Sequence, residues 1–276
     1  MLSGDILLTE GQADRLIAYQ TAAYREIHGR RRRRKRFSLY MDGGHAKKWD
    51  ISEGIDVEIS TDFSNAEADA ITDALNDISG KTCIRFRPVE PRRESYPKIH
   101  IETLDDSSIC GKANIGRTGL RTLVQVNVAA AACRGHLKGQ TLHEVMHALG
   151  VSHEHQRADR DTFVDVKHEN INPQINDQFE SPNDLEMSTY GTSYDYFSIM
   201  HYGQTSGSLD GTSPTMEAKR SPRSMFSAAM GQRTALSQKD AELLNRIYCS
   251  KDCRDASATK PCGRSVVERS VERGYP

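Results

Sequence analysis

The stretch HEVMHALGVSH, residues 143–153, constrains the fold of this chain more than any other. His143 and His147 stand four residues apart, so on an α-helix their rings project from one face, close enough to share a tetrahedral zinc ion. Gly150 can adopt a left-handed conformation that ends the helix and turns the chain, which brings His153 back to the metal. The pattern therefore predicts a zinc helix and one Zn2+ per chain, with a fourth coordination position left for water.

Glu144 lies between the first two histidines, three residues before His147. Its carboxylate reaches the same side of the helix without having to ligate, which is where a general base for a metal-activated water belongs. A lone pair of histidines on a helix is more often solvated than bound to metal, but the glycine and the third histidine favour the zinc site. His155 and His201 have no such spacing, so they are predicted to be ordinary surface or supporting residues.

The length and the hydrophobic content allow one good-sized core, and hydrophobic periodicity predicts strands and helices around the zinc helix. Alternating apolar residues from Ile55 predict a strand, and Ser64 with Glu67 predicts the capping box of a helix that ends at Gly80. The later predicted elements are strands that begin at Thr82, Lys98 and Thr122, a helix that opens near Gln140, an aperiodic stretch over residues 203–236, and a last helix capped by Ser237.

The charge balance argues against two classes of partner. Lys and Arg number 37 and Asp and Glu 38, so no global field draws the chain to nucleic acid or to an acidic membrane surface. No apolar run is long enough for a transmembrane helix, and the first residues lack the pattern of a secretory signal. The chain is therefore expected to be cytosolic or to begin after its signal.

The basic run GRRRRRKRF, residues 29–37, is a local exception to that balance. Taken alone it fits an arm that grips phosphate or heparin, a solvated linker, or a site to be cut. The low aromatic content, 7%, argues against a nucleic-acid binder.

The cysteines help to choose the compartment. Their even number and the absence of a CxxC pair favour a disulfide framework over a redox site or a zinc ribbon. Reduced core cysteines in a cytosolic protein are the alternative, and spacing alone selects no pairing. The six are Cys83, Cys110, Cys133, Cys249, Cys253 and Cys262.

Two motifs carry a family resemblance. The stretch HEVMHALGVSHEHQRADRD resembles the extended zinc signature of the astacin family of metalloendopeptidases, in the metzincin clan, including Glu154 and Arg157 after the third histidine. The stretch SIMHY, residues 198–202, resembles the family's Met-turn. TCIRF, CGKANIGRTG and NRIYC are also similar to family segments, so the resemblance spans nearly everything from Trp49 to Cys249.

The resemblance implies a zinc metalloendopeptidase that hydrolyses internal peptide bonds of a protein or peptide by a zinc-bound water. His143, His147 and His153 would bind the metal and Glu144 would be the general base. Met200 would form the hydrophobic floor beneath the metal. Tyr202 would be an extra ligand that swings aside to hydrogen-bond the transition state. For Met200 and Tyr202 the alternatives are an ordinary core methionine and an ordinary buried tyrosine.

The implied fold is an α+β, two-subdomain metzincin-type zinc protease. A twisted mixed sheet, mostly parallel, and the zinc helix would lie above the cleft, and an irregular lower half with a C-terminal helix would close it. An extended peptide would pair with a strand edge near Cys110 to Gly116. The same resemblance pairs Cys83 with Cys249 and Cys110 with Cys133, which leaves Cys253 and Cys262 for each other by elimination.

The N-terminal stretch LSGDI resembles the family's pro-segment motif, with Leu2 where phenylalanine is usual. The resemblance implies that Asp5 takes the place of the catalytic water on zinc and silences the enzyme. We expect a secreted zymogen whose sequence begins after its signal peptide, cut by a processing protease at or near Arg36. The new amino terminus would be buried near Glu154, whose carboxylate would neutralise it.

These inferences divide the chain into a pro-segment at 1–36, a catalytic domain at 37–250 and a flexible tail or truncated accessory module at 251–276. A catalytically silent zinc-containing binding module is the main alternative function. A metal-dependent hydrolase of a non-peptide substrate is another that the residues alone leave open.

Overall fold

The computed structural model of the chain describes residues 2–3, 5–7, 9, 47–89, 96–106, 108–181 and 188–249. The predicted cleavage site at Arg36, the basic run around it, and Cys253 and Cys262 lie outside the described residues. None of the helices in the described ranges combines the length and the apolar composition needed to cross a lipid bilayer. The described chain folds into a mixed sheet flanked by helices, so the α+β prediction is confirmed.

The main sheet has seven strands among the described residues, in the order β1-β2-β6-β7-β5-β3-β4, and β8 pairs with β9 in a second sheet. The strands are β1 (Leu2–Ser3), β2 (Ile6–Leu7), β3 (Ile55–Ile59), β4 (Phe86–Pro88), β5 (Lys98–Thr103), β6 (Gly111–Asn114), β7 (Arg121–Val126), β8 (Val164–Val166) and β9 (Met216–Ala218).

The N-terminal strand β2 covers one side of strand β6. The pairs β3–β4, β3–β5 and β5–β7 are parallel, and β6 runs antiparallel to β7. The outer edge of β6 is occupied by β2, which runs parallel to it and places Ile6 opposite Ala113. The N-terminal stretch around Asp5 therefore lies along the strand edge where a peptide was expected to pair.

Five α-helices lie among the described residues. They are α1 (Asn65–Lys81), α2 (Ala131–Arg134), α3 (Leu137–Ala148), α4 (Arg223–Ala229) and α5 (Gln238–Tyr248). The predicted capping box of α1 is present, since Ser64 and Glu67 bond each other's backbone N–H. The prediction that Gly80 ends α1 is wrong, because the helix continues to Lys81. Its C-cap is Thr82, which has an extended backbone.

The core forms where α1 and α3 pack against the sheet. Ile71 and Ile78 of α1 are fully buried, as are Ile99 and Val124 on the central strands. Complete burial of one such aliphatic side chain contributes roughly 2 kcal/mol. This core fixes the position of α3, on which the predicted zinc ligands stand.

The lower part has its own apolar cluster, centred on Phe179, Tyr194 and Met216. The stretch that lacked periodicity is not wholly irregular: it contains β9 and the short helix α4, which pack together. Residues of α5, among them Leu244, pack instead into the core of the sheet-bearing part.

Both disulfides implied by the family resemblance are present. Cys83 is bonded to Cys249 across a separation of 166 residues, and Cys110 is bonded to Cys133 across 23. The first joins the end of α1 to the end of α5, and the amide of Asn245 donates to the Lys81 carbonyl beside it (3.0 Å).

Candidate metal centre

Helix α3 carries His143 and His147 side by side inside the protein. Both side chains are buried, and their ring centroids are 4.8 Å apart with the planes nearly perpendicular. The helix approaches its neighbours closely: a Cβ added at Gly139 would lie 1.7 Å from the Arg233 carbonyl oxygen. Only glycine therefore fits at that position of the zinc helix.

A tight turn returns the chain to the two histidines. Gly150 has φ +93°, the left-handed region that glycine adopts readily, and its N–H donates to the His147 carbonyl (2.7 Å). Val151 N–H donates to the Met146 carbonyl (2.9 Å), which closes the turn. His153 thereby lies with its ring centroid 4.7 Å from that of His147. The turn predicted at Gly150 is present.

Backbone carbonyls orient two of the three rings. Nδ1–H of His143 donates to the Ile199 carbonyl (2.8 Å), and Nδ1–H of His147 donates to the Val151 carbonyl (2.7 Å). This tautomer leaves each Nε2 lone pair free for a metal. Burial lowers the pKa of His143 to about 3, with Arg233 acting in the same direction, and burial also lowers the pKa of His147. Both imidazoles are thus neutral near pH 7, the form that binds a metal.

Asp5 faces the three histidines from the N-terminal stretch. Its Oδ1 lies 2.9 Å from His153 Nε2 and 3.7 Å from His147 Nε2, and its Oδ2 lies 3.1 Å from His143 Nε2. The Ala113 N–H donates to the Asp5 carbonyl (2.8 Å), so β6 fixes the backbone there. Burial by itself raises the pKa of the Asp5 carboxyl, but its electrostatic interactions with the three facing imidazoles, that with His153 first, outweigh burial and the net pKa is lowered.

This donor set fits a zinc ion. One nitrogen from each histidine and one oxygen of Asp5 lie within 4.8 Å of one another. His147 Nε2, His153 Nε2 and Asp5 Oδ1 are buried without a hydrogen-bond partner, which is costly unless another ligand satisfies them. Three imidazoles and a carboxylate are typical zinc ligands.

Glu144 lies beside this cluster with its carboxylate inside the protein. The residue is 3% exposed, and its Oε2 is buried without a hydrogen-bond partner. Burial raises its pKa well above the ordinary value, with the Asp5 charge adding to the effect. A Cβ added at Gly111 of β6 would lie 2.5 Å from Glu144 Oε1, so the carboxylate is packed directly against that strand.

The predicted Met-turn packs under α3. Met200 is 1% exposed, belongs to the same core cluster as Leu142 and Met146, and accepts a hydrogen bond at its carbonyl from the Glu154 N–H (3.0 Å). Asp240 of α5 holds the turn from below by accepting bonds from Ser198 Oγ (2.6 Å) and the Ile199 N–H (2.9 Å). The carboxylate of a helix cap therefore positions the turn.

Tyr202 lies next to the ligands, with its ring centroid 4.6 Å from that of His153. Its hydroxyl donates to Gln178 Oε1 (3.1 Å). His155 is completely buried and stacks on the Tyr202 ring at 4.1 Å, and His201 is buried with its Nε2 bonded to the Tyr194 hydroxyl (2.7 Å). Both histidines are supporting residues, and neither is at the surface.

Glu154 lies in a buried polar setting behind His153. Its Oε1 accepts bonds from Arg157 Nη1 (3.1 Å) and the Asp195 N–H (2.8 Å). Burial raises the pKa of its carboxyl to about 8, a change that the Arg157 charge opposes. A cavity of about 70 Å³ adjoins it, lined by Gly150, Val151, Ser152, His153, Glu154, Arg157, Ala158, Ser188, Thr189, Tyr190, Thr192, Leu243 and Ile247.

Sequence reasoning missed three residues of this neighbourhood: Gln178, Arg233 and Asp240. The Arg233 side chain donates to the His201 carbonyl (3.2 Å), and its charge acts on both Glu144 and Asp5. Gln178 and Arg233 stand in stretches without periodicity, so no pattern marked them. Asp240 could have been found, since it stands three residues after the N-cap Ser237, where a capping box places a carboxylate.

The amino-acid sequence matches a protein-family model and several curated relatives. The model of the astacin peptidase family matches residues 42–249. Zinc metalloproteinase nas-9 of Caenorhabditis elegans is 34% identical over 259 residues, which cover 91% of this chain and 46% of that protein. Zinc metalloproteinase dpy-31 of Haemonchus contortus is 33% identical over 263 residues, 95% of this chain and 43% of that protein.

Solved structures have the same fold. High choriolytic enzyme 1, a hatching enzyme zinc-protease from Oryzias latipes (Medaka fish), matches with a TM-score of 0.64 and 28% identity, covering 80% of this chain and 100% of that chain. Myroilysin matches in fold, with a TM-score of 0.51 and 16% identity, over 74% of this chain and 96% of that chain. The chain spans less than half the length of the curated relatives it matches.

Proposed function

The chain belongs to the astacin family of peptidases, and on that premise we propose that it is a zinc-dependent metalloendopeptidase that cuts internal peptide bonds of proteins or peptides. One observation carries the proposal: three buried imidazoles and the half-buried Asp5 carboxylate face a common point, with the buried Glu144 carboxylate beside them. Such a site needs a metal to satisfy its donors and already has a proton acceptor next to it.

His143, His147 and His153 would hold one zinc ion through Nε2. When bound, the ion lowers the pKa of a coordinated water and polarises the scissile carbonyl. The carbonyls of Ile199 and Val151 keep the first two rings in the ligating tautomer.

Glu144 would take the proton of the attacking water and deliver it to the departing amine. Its carboxylate is buried and packed against Gly111, so it does not need to be ordered when substrate binds. Tyr202 would be an extra ligand before substrate binds and would then swing aside to donate its hydroxyl to the oxyanion. Met200 would support the ligands from the core. Arg233, whose charge acts on Glu144, would favour the charged carboxylate before proton transfer.

We also propose that the N-terminal stretch keeps the chain silent. The Asp5 carboxylate fills the space between the three imidazoles, and β2 covers the β6 edge along which a substrate would pair. Activation would require a cut at or near Arg36 by a processing protease. The new amino terminus would enter the cavity beside Glu154, where a cation would favour the charged form of a carboxyl that burial keeps protonated.

The division into 1–36, 37–250 and 251–276 stays a prediction, and so does secretion. The two disulfides support secretion, since such bonds persist in oxidising compartments.

The direct test uses the full chain treated with trypsin, which is then inhibited, and a denatured protein as substrate. We expect cleavage that a zinc chelator abolishes. Glu144→Ala should keep one zinc per chain and lose activity by roughly 10²- to 10⁴-fold. A silent zinc-binding module predicts one zinc and no cleavage by the treated wild type, which would overturn the proposal.

The inhibitory role of Asp5 has a separate test. The uncut Asp5→Ala chain should cleave a short peptide faster than the uncut parent, because the competing carboxylate is gone. Asp62→Ala, an exposed aspartate, is the matched control. Equal rates for Asp5→Ala and the parent, with zinc present in both, would contradict an inhibitory role.

A further inference from the structure

The Tyr202 hydroxyl is held by a glutamine from another part of the chain. It donates to Gln178 Oε1 at 3.1 Å, and among the described residues its hydrogen-bond partner is Gln178 and not Asp5. Its ring nevertheless lies against His153, with centroids 4.6 Å apart. The ring thus contacts a predicted metal ligand while its hydroxyl is hydrogen-bonded to Gln178.

Gln178 presents its side chain from a fixed backbone. Its carbonyl accepts bonds from His155 Nε2 (3.1 Å) and from Gln156 Nε2 (3.0 Å). The next residue, Phe179, is completely buried, and its carbonyl accepts a bond from Arg160. Hydrogen bonds therefore tie the backbone at Gln178 to residues 155–160, which follow the third histidine.

The ring of Tyr202 has a defined slot. His155 stacks on it with centroids 4.1 Å apart and planes 28° apart, and Phe179 meets its edge at 5.9 Å. Burial of its surface and dispersion contacts with the two neighbouring rings hold the Tyr202 ring in place. The hydrogen bond to Gln178 decides where its hydroxyl points.

We propose that Gln178 is a positioning residue that holds the Tyr202 hydroxyl away from the metal and releases it when the reaction requires it. The proposal rests on the role of Tyr202 proposed above. Gln178 would set the fraction of molecules in which the phenol is free to ligate the metal or to reach the oxyanion.

The chemistry of an amide acceptor suits such a reversible hold. A hydrogen bond between two neutral groups is modest in strength. It favours the bonded over the unbonded position of the hydroxyl by roughly fivefold in population. A carboxylate at the same place would hold the phenol about twice as strongly, and an apolar side chain would not hold it. Glu and Leu at position 178 should therefore shift the hydroxyl in opposite directions, which a merely structural role of Gln178 would not do.

The test uses the full chain carrying Asp5→Ala, loaded with Cu2+, which binds imidazole sites strongly. A phenolate bound to Cu2+ absorbs visible light by charge transfer, so the band reports how much Tyr202 ligates. We expect Gln178→Leu to increase the ratio of ligated to free phenol about fivefold and Gln178→Glu to decrease it by at least as much. Gln178→Asn, one methylene shorter, should behave like Gln178→Leu, which keeps the test open if one variant folds poorly.

Two controls assign the effect. Tyr202→Phe should abolish the band in every background, and the Gln178 substitutions should then change neither the spectrum nor the peptidase rate. Gln174→Leu and Gln174→Glu place the same changes at an exposed glutamine of the same turn, Pro173–Phe179, and should leave the band unchanged.

The possible results distinguish a failure of the Gln178 proposal from a failure of the role proposed for Tyr202. No band in any background, together with a peptidase rate that Tyr202→Phe leaves unchanged, would refute the role of Tyr202 itself. A band that Tyr202→Phe removes but that Gln178→Leu and Gln178→Glu leave unchanged, or move in the same direction, would overturn the positioning role of Gln178.

Discussion

Gly111→Ala tests whether the placement of Glu144 limits the reaction. The added Cβ would lie 2.5 Å from Glu144 Oε1 and 2.8 Å from both Cδ and Cγ. Ordinary contacts need more than about 3 Å, so the carboxylate or β6 has to move by roughly 0.5 to 1 Å. A misplacement of about 1 Å in a catalytic group costs on the order of 10²-fold in rate, which equals about 2.7 kcal/mol of activation free energy.

The assay is kcat/KM of the trypsin-treated chain on a quenched peptide, with zinc content and thermal unfolding measured on the same samples. We expect a fall of about 10²-fold with one zinc retained, because the added Cβ would meet Glu144, the proposed base. Gly80→Ala is the matched control, since an added Cβ meets nothing within 4 Å there. Retention of more than half the activity by Gly111→Ala, with zinc bound, would refute the reasoning.

Three further predictions concern stability, each measured by denaturant unfolding. Replacing Cys83 and Cys249 by alanine should lower the free energy of unfolding by about 5 kcal/mol, because this disulfide closes the longer loop. Replacing Cys110 and Cys133 should lower it by about 3 kcal/mol. A larger loss for the second pair would contradict the loop-closure argument. The hydrogen bond from His100 lowers the pKa of Glu58 from its ordinary value of 4.5. The charged Glu58 carboxylate therefore stabilises the fold above pH 4.5, and this contribution is lost as the pH falls through the lowered pKa. Glu58→Gln should therefore cost about 0.5 kcal/mol at pH 6 and progressively less in acid, and a cost that grows in acid would be inconsistent with this sign. Asp240→Ala leaves the buried donors of the Met-turn unpaired and should cost about 2 to 4 kcal/mol; a cost under about 0.5 kcal/mol would show that the cap does not hold the turn.

The sequence predicted the elements that local chemistry specifies. Ser64 with Glu67 and Ser237 are capping signals, and both helices begin where those residues stand. The return of the chain after His147 was predictable because Gly150 is the residue that a left-handed turn requires. The cluster of the three histidines was predictable from the spacing of His143 and His147 along a helix and from that turn, which returns His153.

Other features depend on contacts between distant segments, which spacing does not reveal. The helix that carries the histidines begins at Leu137, earlier than expected from Gln140, and its N-cap His136 makes no side-chain capping bond, so no capping signal marked the start. Gly80 does not end α1, since Thr82 caps it by donating its hydroxyl to the Ile78 carbonyl (2.8 Å). The hydrogen bond between Gln178 and Tyr202 spans 24 residues of the sequence, so only the fold brings the two side chains together.

The central claim is that three histidines of this chain hold one zinc ion and that the activated chain needs this ion to cut internal peptide bonds. The most direct measurement removes the metal from the trypsin-treated protein by dialysis against a chelator and returns zinc in steps. Activity is followed on a peptide library whose products are sequenced. We expect no activity without metal, full recovery at one zinc per chain, and products cut at internal bonds. Full activity of the metal-free protein, or recovery that needs no zinc, would contradict the claim.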